Sequence, residues 1–88
     1  MKVEFLAKFG KDLDKIDDKQ IKQKIVEIIA EIESAVKLSD LSNVKKIEGF
    51  KTAYRFKLGD YRIGFFFEKG ILELARIVHR KDIYKVFP

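Results

Sequence analysis

The sequence predicts an α+β fold of the order β-α-α-β-β-β, in which an N-terminal pair of helices packs on one face of a mainly antiparallel four-stranded sheet. Three observations support this prediction. Apolar residues recur at helical spacing in the N-terminal half, and they alternate with polar residues, the period of a strand, after residue 53. The chain has 88 residues, enough for one modest core, so we expect a single domain over residues 1–88.

The N-terminal half contains one predicted strand and two predicted helices. The strand covers residues 2–6. Apolar residues at i, i+4 and i+7 predict the first helix, and they are Phe9, Leu13 and Ile16. The second helix has the clearest pattern, a single apolar stripe formed by Ile21, Ile25, Ile28, Ile29, Ile32 and Val36. Asp17 or Asp18 can cap this helix, because a carboxylate there accepts free backbone N–H groups.

Three strands are predicted after the polar, turn-like residues 38–43. Apolar and polar residues alternate there with a period of two, and two glycine-containing pairs separate the strands. The strands cover residues 54–58, 61–67 and 71–78, and the turns are Gly59-Asp60 and Lys69-Gly70. The last ten residues are basic and contain Tyr84 and Phe87.

Composition excludes several classes of function. The chain has no cysteine, which excludes disulfides, thiolate zinc sites and thiol nucleophiles. A single histidine excludes a histidine-rich metal cage, and helix capping explains the aspartates near residues 12–18. We therefore expect no metal and no cofactor. No apolar stretch is long enough to span a bilayer, and residues 1–12 lack the long apolar core of a secretory signal, so we expect a cytoplasmic protein without a membrane partner.

The positive charge is unevenly distributed along the chain. The net charge is +5, yet residues 1–41 hold 8 Lys and Arg against 9 Asp and Glu. Residues 42–88 hold 11 against 5, so all of the excess lies in the C-terminal half. Such asymmetry favours a polyanionic partner, which can be RNA, DNA or an acidic protein segment. The alternative is a solvated basic surface without a specific partner.

The predicted strands collect cations on one side of the sheet. Side chains alternate along a strand, so Arg55 and Lys57 point away from the apolar side of their strand, and Arg62 does the same on the next strand. If the apolar side faces the helices, the three cations share an uncovered face, where an anion would relieve their repulsion. Further cations at or after the end of the last strand can complete the ring, namely Arg76, Arg80 and Lys81.

A cation cluster of this kind suits phosphodiester chemistry. Arginine binds phosphate oxygens bidentately and stabilises charge that develops in a transition state. Crowding by cations favours the neutral form of a lysine, which makes Lys57 a candidate proton acceptor, and His79 is a second candidate. The ring of Tyr84 can stack on an unpaired base. The alternative is that Arg and Lys simply alternate with apolar residues on half-solvated strands.

Two segments resemble the RelE/ParE superfamily of toxins from bacterial and archaeal toxin–antitoxin systems, and its RelE branch in particular. They are YRFKLGDYRIGFFF at residues 54–67 and VHRKDIY at residues 78–84. The resemblance implies an endoribonuclease that cleaves mRNA in the ribosomal A site without a metal. In this reaction the ribose 2′-OH attacks the adjacent phosphate and a 5′-OH leaves. The resemblance also implies two partners, a cognate acidic antitoxin and ribosome-bound mRNA.

The resemblance implies roles for individual residues. Lys57 matches a lysine that helps deprotonate the 2′-OH, and Arg62 matches an arginine that holds the scissile phosphate. Arg80, or Lys81 if the register slips, matches a second cation that stabilises the transition state. Tyr84 matches a tyrosine that stacks on or orients the substrate. The remaining candidates for RNA contacts are Arg55, Arg76, His79 and Lys81.

One departure from the RelE pattern keeps other functions open. Arg55 stands where the pattern has a lysine, and arginine cannot act as a base at neutral pH. The base role therefore falls to Lys57 or to His79. The alternatives are a ParE-like inhibitor of DNA gyrase and a non-catalytic relative that only binds RNA or antitoxin.

Overall fold

A computed structural model describes all 88 residues as three helices and a five-stranded sheet. The elements are β1 (Lys2–Phe5), α1 (Ala7–Asp14), α2 (Lys19–Ser34), β2 (Val44–Lys46), β3 (Ala53–Leu58), β4 (Tyr61–Glu68), β5 (Ile71–His79) and α3 (Ile83–Val86), with a 3-10 turn at Leu38–Asp40. The strand order is β1-β5-β4-β3-β2. Only β1 pairs in parallel, with β5, and the other three pairings are antiparallel. None of the helices has the length and apolar character needed to cross a membrane.

The α+β class is confirmed, but the sheet has five strands where the sequence predicted four. The additional strand is β2, which has three residues and pairs antiparallel with β3. A segment this short carries no readable alternation, and its strand geometry comes from pairing with β3. As an edge strand it is short and charged, which disfavours further pairing with other chains.

Helix α2 starts at the predicted cap and ends before the predicted limit. The Asp18 carboxylate accepts hydrogen bonds from the backbone N–H groups of Gln20 and Ile21, at 2.9 and 3.3 Å. The helix stops at Ser34, so placing Val36 on its apolar stripe was wrong. Val36 is 88% exposed.

The main core lies between the helices and one face of the sheet. Phe9 from α1 and Ile25 and Ile32 from α2 pack in one cluster with apolar side chains of β3, β4 and β5. The strand residues of this cluster are Phe56, Leu58, Ile63, Phe65, Leu72, Leu74 and Ile77. The apolar side of the predicted strands therefore does face the helices.

The opposite face of the sheet is partly covered, whereas we expected it to be bare. The C-terminal segment, residues 80–88, folds back over it, and a second apolar cluster forms there from Ala53, Ala75, Ile83 and Phe87. Ile83 and Phe87 are 0% and 4% exposed. The face is therefore divided into an apolar half under α3 and a polar half beside it.

Candidate functional site

Three cations share the face of the sheet opposite the main core, as side-chain parity predicted. Lys57 on β3 lies directly opposite Arg62 on β4, and Arg55 lies opposite Gly64. Residues directly opposite each other in an antiparallel pair point to the same face, with Cβ atoms about 5 Å apart. Arg55, Lys57 and Arg62 therefore form one group, which we call the cationic face.

Lys45 extends the cationic face, and sequence reasoning missed it. The register places Lys45 on β2 opposite Arg55 on β3, so both side chains leave the sheet on the same side. Lys45 is exposed. The available signal was weak: Val44 and Ile47 bracket two lysines, and they pack on opposite faces of the sheet. This pattern predicts which way Lys45 points only if residues 44–47 are already assigned to a strand.

The side chain of Arg62 and the backbone of Arg80 both bind to the turn between β3 and β4. One guanidinium nitrogen of Arg62, Nη1, donates to the backbone carbonyls of Gly59 and Tyr61 at 2.7 and 2.8 Å. The backbone N–H of Arg80 donates to the carbonyl of Asp60 at 2.8 Å. Gly59 has a φ of +57°, which glycine adopts at little cost. The turn thus brings the start of the C-terminal segment next to the cationic face.

Tyr84 contacts the cationic face from the C-terminal segment. Arg55 Nε donates a hydrogen bond to the Tyr84 phenolic oxygen at 3.0 Å. The Tyr84 side chain is nevertheless 64% exposed, so one side of its ring is open to solvent. This arrangement leaves the ring free to stack on a base while the phenol is held in place.

No acidic side chain neutralises the cationic face. The structure contains three ion pairs: Lys2 with Glu4, Arg76 with Asp12, and Lys85 with Asp82. None of them involves the cationic face or the neighbouring Arg80 and Lys81. Several positive charges within reach of one another and without a counter-charge are well suited to bind a polyanion.

Arg76 is taken out of the group by a bidentate ion pair. Its guanidinium donates to both carboxylate oxygens of Asp12, at 2.7 and 3.0 Å. The hydrogen bond to Asp12 raises the pKa of Arg76, against the opposing effect of burial. Asp12 Oδ2 also accepts the backbone N–H of Ile77 at 3.1 Å. We expected Asp12 to act in helix capping, but it binds α1 to the edge of β5 beyond the end of β1.

His79 leaves the sheet on the side of the main core. It lies opposite Tyr61 in the register, and Tyr61 packs against the main core. The two rings form an edge-to-face pair with centroids 6.1 Å apart. His79 Nδ1 accepts the backbone N–H of Lys81 at 3.2 Å, which orders the exit of the chain from β5. Register therefore separates His79 from Lys57 and Arg62.

Comparison with known protein families shows to which family the chain belongs. Residues 3–84 match the family described as the ParE toxin of type II toxin–antitoxin systems. The chain belongs to the RelE/ParE toxin family. It is 39% identical over 89 residues to a relative named Toxin RelE3 from Methanocaldococcus jannaschii, and the match covers all of both chains. The family resemblance read from residues 54–67 and 78–84 is thus confirmed.

Three solved structures have the same fold as this chain. The toxin in a RelB–RelE antitoxin–toxin complex from Methanococcus jannaschii superposes with a TM-score of 0.82 at 35% identity, over 97% of this chain and 99% of that chain. An archaeal RelE–RelB complex from Pyrococcus horikoshii gives 0.71 at 21% identity, over 93% and 97%. A YoeB dimer from Staphylococcus aureus gives 0.72 at 15% identity, over 91% and 97%. The chain is therefore a toxin of the type II toxin–antitoxin kind.

Proposed function

We propose that this RelE/ParE toxin is an endoribonuclease that cleaves mRNA in the ribosomal A site. The observation that carries the proposal is the uncompensated cationic face, in which Lys57 lies directly opposite Arg62 and Arg55 donates a hydrogen bond to the exposed Tyr84. A purely structural surface has no need for several unpaired cations in register on neighbouring strands. A phosphodiester supplies the missing negative charge.

The proposed reaction is a transfer within the RNA strand. The ribose 2′ oxygen forms a bond to the adjacent phosphorus, and the bond from phosphorus to the 5′ oxygen of the next nucleotide breaks. The 5′ oxygen takes a proton from water and leaves as a hydroxyl. Lys57 accepts the proton of the 2′-OH. Arg62 holds the non-bridging phosphate oxygens, and Arg80 adds positive charge as the phosphorane develops. Tyr84 stacks on or orients the base next to the cut.

Lys57 is the better candidate for the base. Of the two residues left open by the sequence, His79 leaves the sheet opposite Tyr61, on the core side, whereas Lys57 shares a face with Arg62. Proton transfer needs direct contact or one intervening water. Lys45, Arg55 and Lys81 make further contacts with the RNA in this proposal, while Arg76 stays bound to Asp12.

The partner that silences the toxin is proposed to be an antitoxin with an acidic segment. The solved relatives from Methanococcus jannaschii and Pyrococcus horikoshii were each crystallised with a RelB antitoxin. The excess positive charge of residues 42–88 makes an acidic peptide a suitable occupant of the cationic face. RNA and antitoxin would then compete for the same charges.

Arg62→Ala tests the proposal. We expect cleavage of mRNA on programmed ribosomes to fall at least about 100-fold, because the variant loses the main hydrogen-bond donor to the scissile phosphate. The loss in stability should stay near 1 kcal/mol, since the guanidinium bonds only two turn carbonyls near solvent. Lys22→Ala is the matched control, because it removes one exposed cation from α2 and should leave cleavage unchanged. Full cleavage by Arg62→Ala would rule the proposal out.

Inhibition of DNA gyrase is the second candidate, favoured by the ParE description of the matched family. The two functions predict different first effects in induced cells. Halted translation with mRNA cut at A-site codons supports the endoribonuclease. Supercoiling defects and DNA damage signals without cut mRNA support gyrase inhibition. A chain that does neither but binds antitoxin tightly would be a non-catalytic relative.

A further inference from the structure

The C-terminal segment holds Tyr84 at the cationic face although its helix is too short to be stable alone. α3 has four residues, and one helical turn is unfavourable without tertiary packing. Ile83 and Phe87, on either side of Tyr84, are 0% and 4% exposed, whereas Tyr84 is 64% exposed. The two buried side chains therefore determine where the tyrosine stands.

Phe87 lies directly on Gly64 of β4. A Cβ added to Gly64 would lie 2.5 Å from Cγ and Cδ2 of the Phe87 ring and 2.9 Å from Cδ1. Gly64 is not among the glycines with positive φ, so its backbone conformation does not require glycine. Glycine is required at position 64 because the Phe87 ring occupies the space that a Cβ atom would fill.

The ring contact and the phenol contact lie next to each other in the sheet. Gly64 is directly opposite Arg55, and Arg55 is the residue that donates to the Tyr84 phenolic oxygen. The two strand positions are about 5 Å apart. A one-turn helix connects Phe87 to Tyr84, so a displacement of the ring must move the phenol relative to Arg55.

We propose that Gly64 and Phe87 form a seat that positions Tyr84 for RNA cleavage. The inference rests on the proposed endoribonuclease function and deepens it. Phe87 is buried and does not reach the substrate, so it acts through Tyr84 as a positioning residue. A misplacement of about 1 Å at a reacting centre can cost 100-fold in rate. Loss of the seat should lower kcat more than binding, because Lys45 and Arg62 still hold the RNA backbone.

Gly64→Ala is the primary test, and Gly10→Ala is its matched control. Gly10 also lacks positive φ, but a Cβ there has no neighbour within 4 Å. For Gly64→Ala on programmed ribosomes we expect kcat to fall about 100-fold, with little change in the half-saturating ribosome concentration. The Phe87 amide, which donates to the Ile83 carbonyl at 2.8 Å, should exchange faster. The rest of the amide spectrum should stay native, and Gly10→Ala should match the unmodified chain.

Two further variants guard against a folding defect. Phe87→Ala removes the ring while keeping Gly64, and we expect the same loss of kcat. Adding Phe87→Leu to Gly64→Ala frees space for the new methyl group, and the double variant should recover at least tenfold in kcat. Relief of the clash would restore stability as well, so kcat is compared at a temperature where urea denaturation shows every variant to be fully folded, and there a purely structural role predicts no difference in kcat between Gly64→Ala and the double variant.

The outcomes separate the seat from the proposed function. Wild-type kcat in either Gly64→Ala or Phe87→Ala, or a double variant no faster than Gly64→Ala, would overturn the seat alone. If the unmodified chain cuts no mRNA while its Phe87 amide is protected, the endoribonuclease proposal fails, and the positioning role fails with it.

Discussion

At the scale of single residues, the arginines of this toxin are held in two different ways. Arg62 donates to two carbonyls of its own turn, which fixes the guanidinium while leaving its charge unpaired. Arg76 donates to a buried carboxylate and its charge is neutralised. An unpaired but fixed guanidinium is ready for a phosphate without further ordering, so Arg62 is suited to binding and Arg76 to stability.

Asp12→Ala should destabilise the fold without a direct effect on the cationic face. The variant leaves Arg76 and the N–H of Ile77 without their partner, and the side chain of Arg76 is only 19% exposed. We expect a loss of about 2 kcal/mol in the free energy of unfolding, measured by urea denaturation. Asp14→Ala, an exposed aspartate on the same helix, is the control and should change stability by less than about 0.5 kcal/mol.

The pH dependence of this pair follows from the raised pKa of Arg76. A base whose folded-state pKa is raised adds stability at every pH below its unfolded value and loses it only as the pH rises through the folded value. For an arginine that window lies at very alkaline pH. The ionisation of Arg76 should therefore not change the free energy of unfolding between pH 6 and 9. The difference in that free energy between Asp12→Ala and the unmodified chain, measured by urea denaturation, should stay constant over this range.

At the scale of elements, the short strand β2 matters because it carries Lys45 onto the cationic face. Lys45→Ala should weaken binding of single-stranded RNA several-fold, because one phosphate contact is lost. Lys46→Ala is the control: Lys46 lies opposite Tyr54, which packs against the main core, so its side chain leaves the other face. Fluorescence anisotropy with a labelled RNA measures both. Equal losses in the two variants would show that net charge, not the face, determines binding.

Helix α2 provides a test of the local rules that start an element. Asp18 caps two backbone N–H groups, and its replacement by alanine should cost about 1 kcal/mol. Asp17→Ala removes the neighbouring exposed carboxylate, and we expect little change. Thermal unfolding of both variants compares them directly, and an equal loss for both would mean that nearby negative charge, rather than the hydrogen bonds, stabilises the helix end.

Local sequence patterns predicted the helices and strands better than they predicted the contacts between residues far apart in the chain. Period-two alternation placed Arg55, Lys57 and Arg62 on one face because parity depends only on neighbouring residues. It could not place Arg76 on Asp12, because their contact spans 64 residues and depends on where β1 ends. A register shift between Gly64 and Phe65, opposite Arg76 and Leu74, interrupts strict alternation along β5.

At the scale of the whole molecule, the forces that stabilise the fold differ from those proposed to bind RNA. Two apolar clusters, one on each face of the sheet, hold the fold, and the toxin has only three ion pairs. Two of these are exposed and contribute little to stability. The cationic face, in contrast, depends on charge. Salt should therefore weaken RNA binding long before it weakens the fold.

A salt titration checks this separation. If Lys45, Arg55, Arg62, Arg80 and Lys81 each contact a phosphate, the logarithm of the affinity for single-stranded RNA should fall against log salt with a slope of about −3.5, or roughly 130-fold between 50 and 200 mM. Arg62→Ala should reduce the slope by about 0.7. The midpoint of thermal unfolding should move little over the same range. An RNA affinity that does not change with salt concentration would mean that stacking on Tyr84, rather than phosphate contact, dominates binding. The cationic face would then bind a ligand other than RNA.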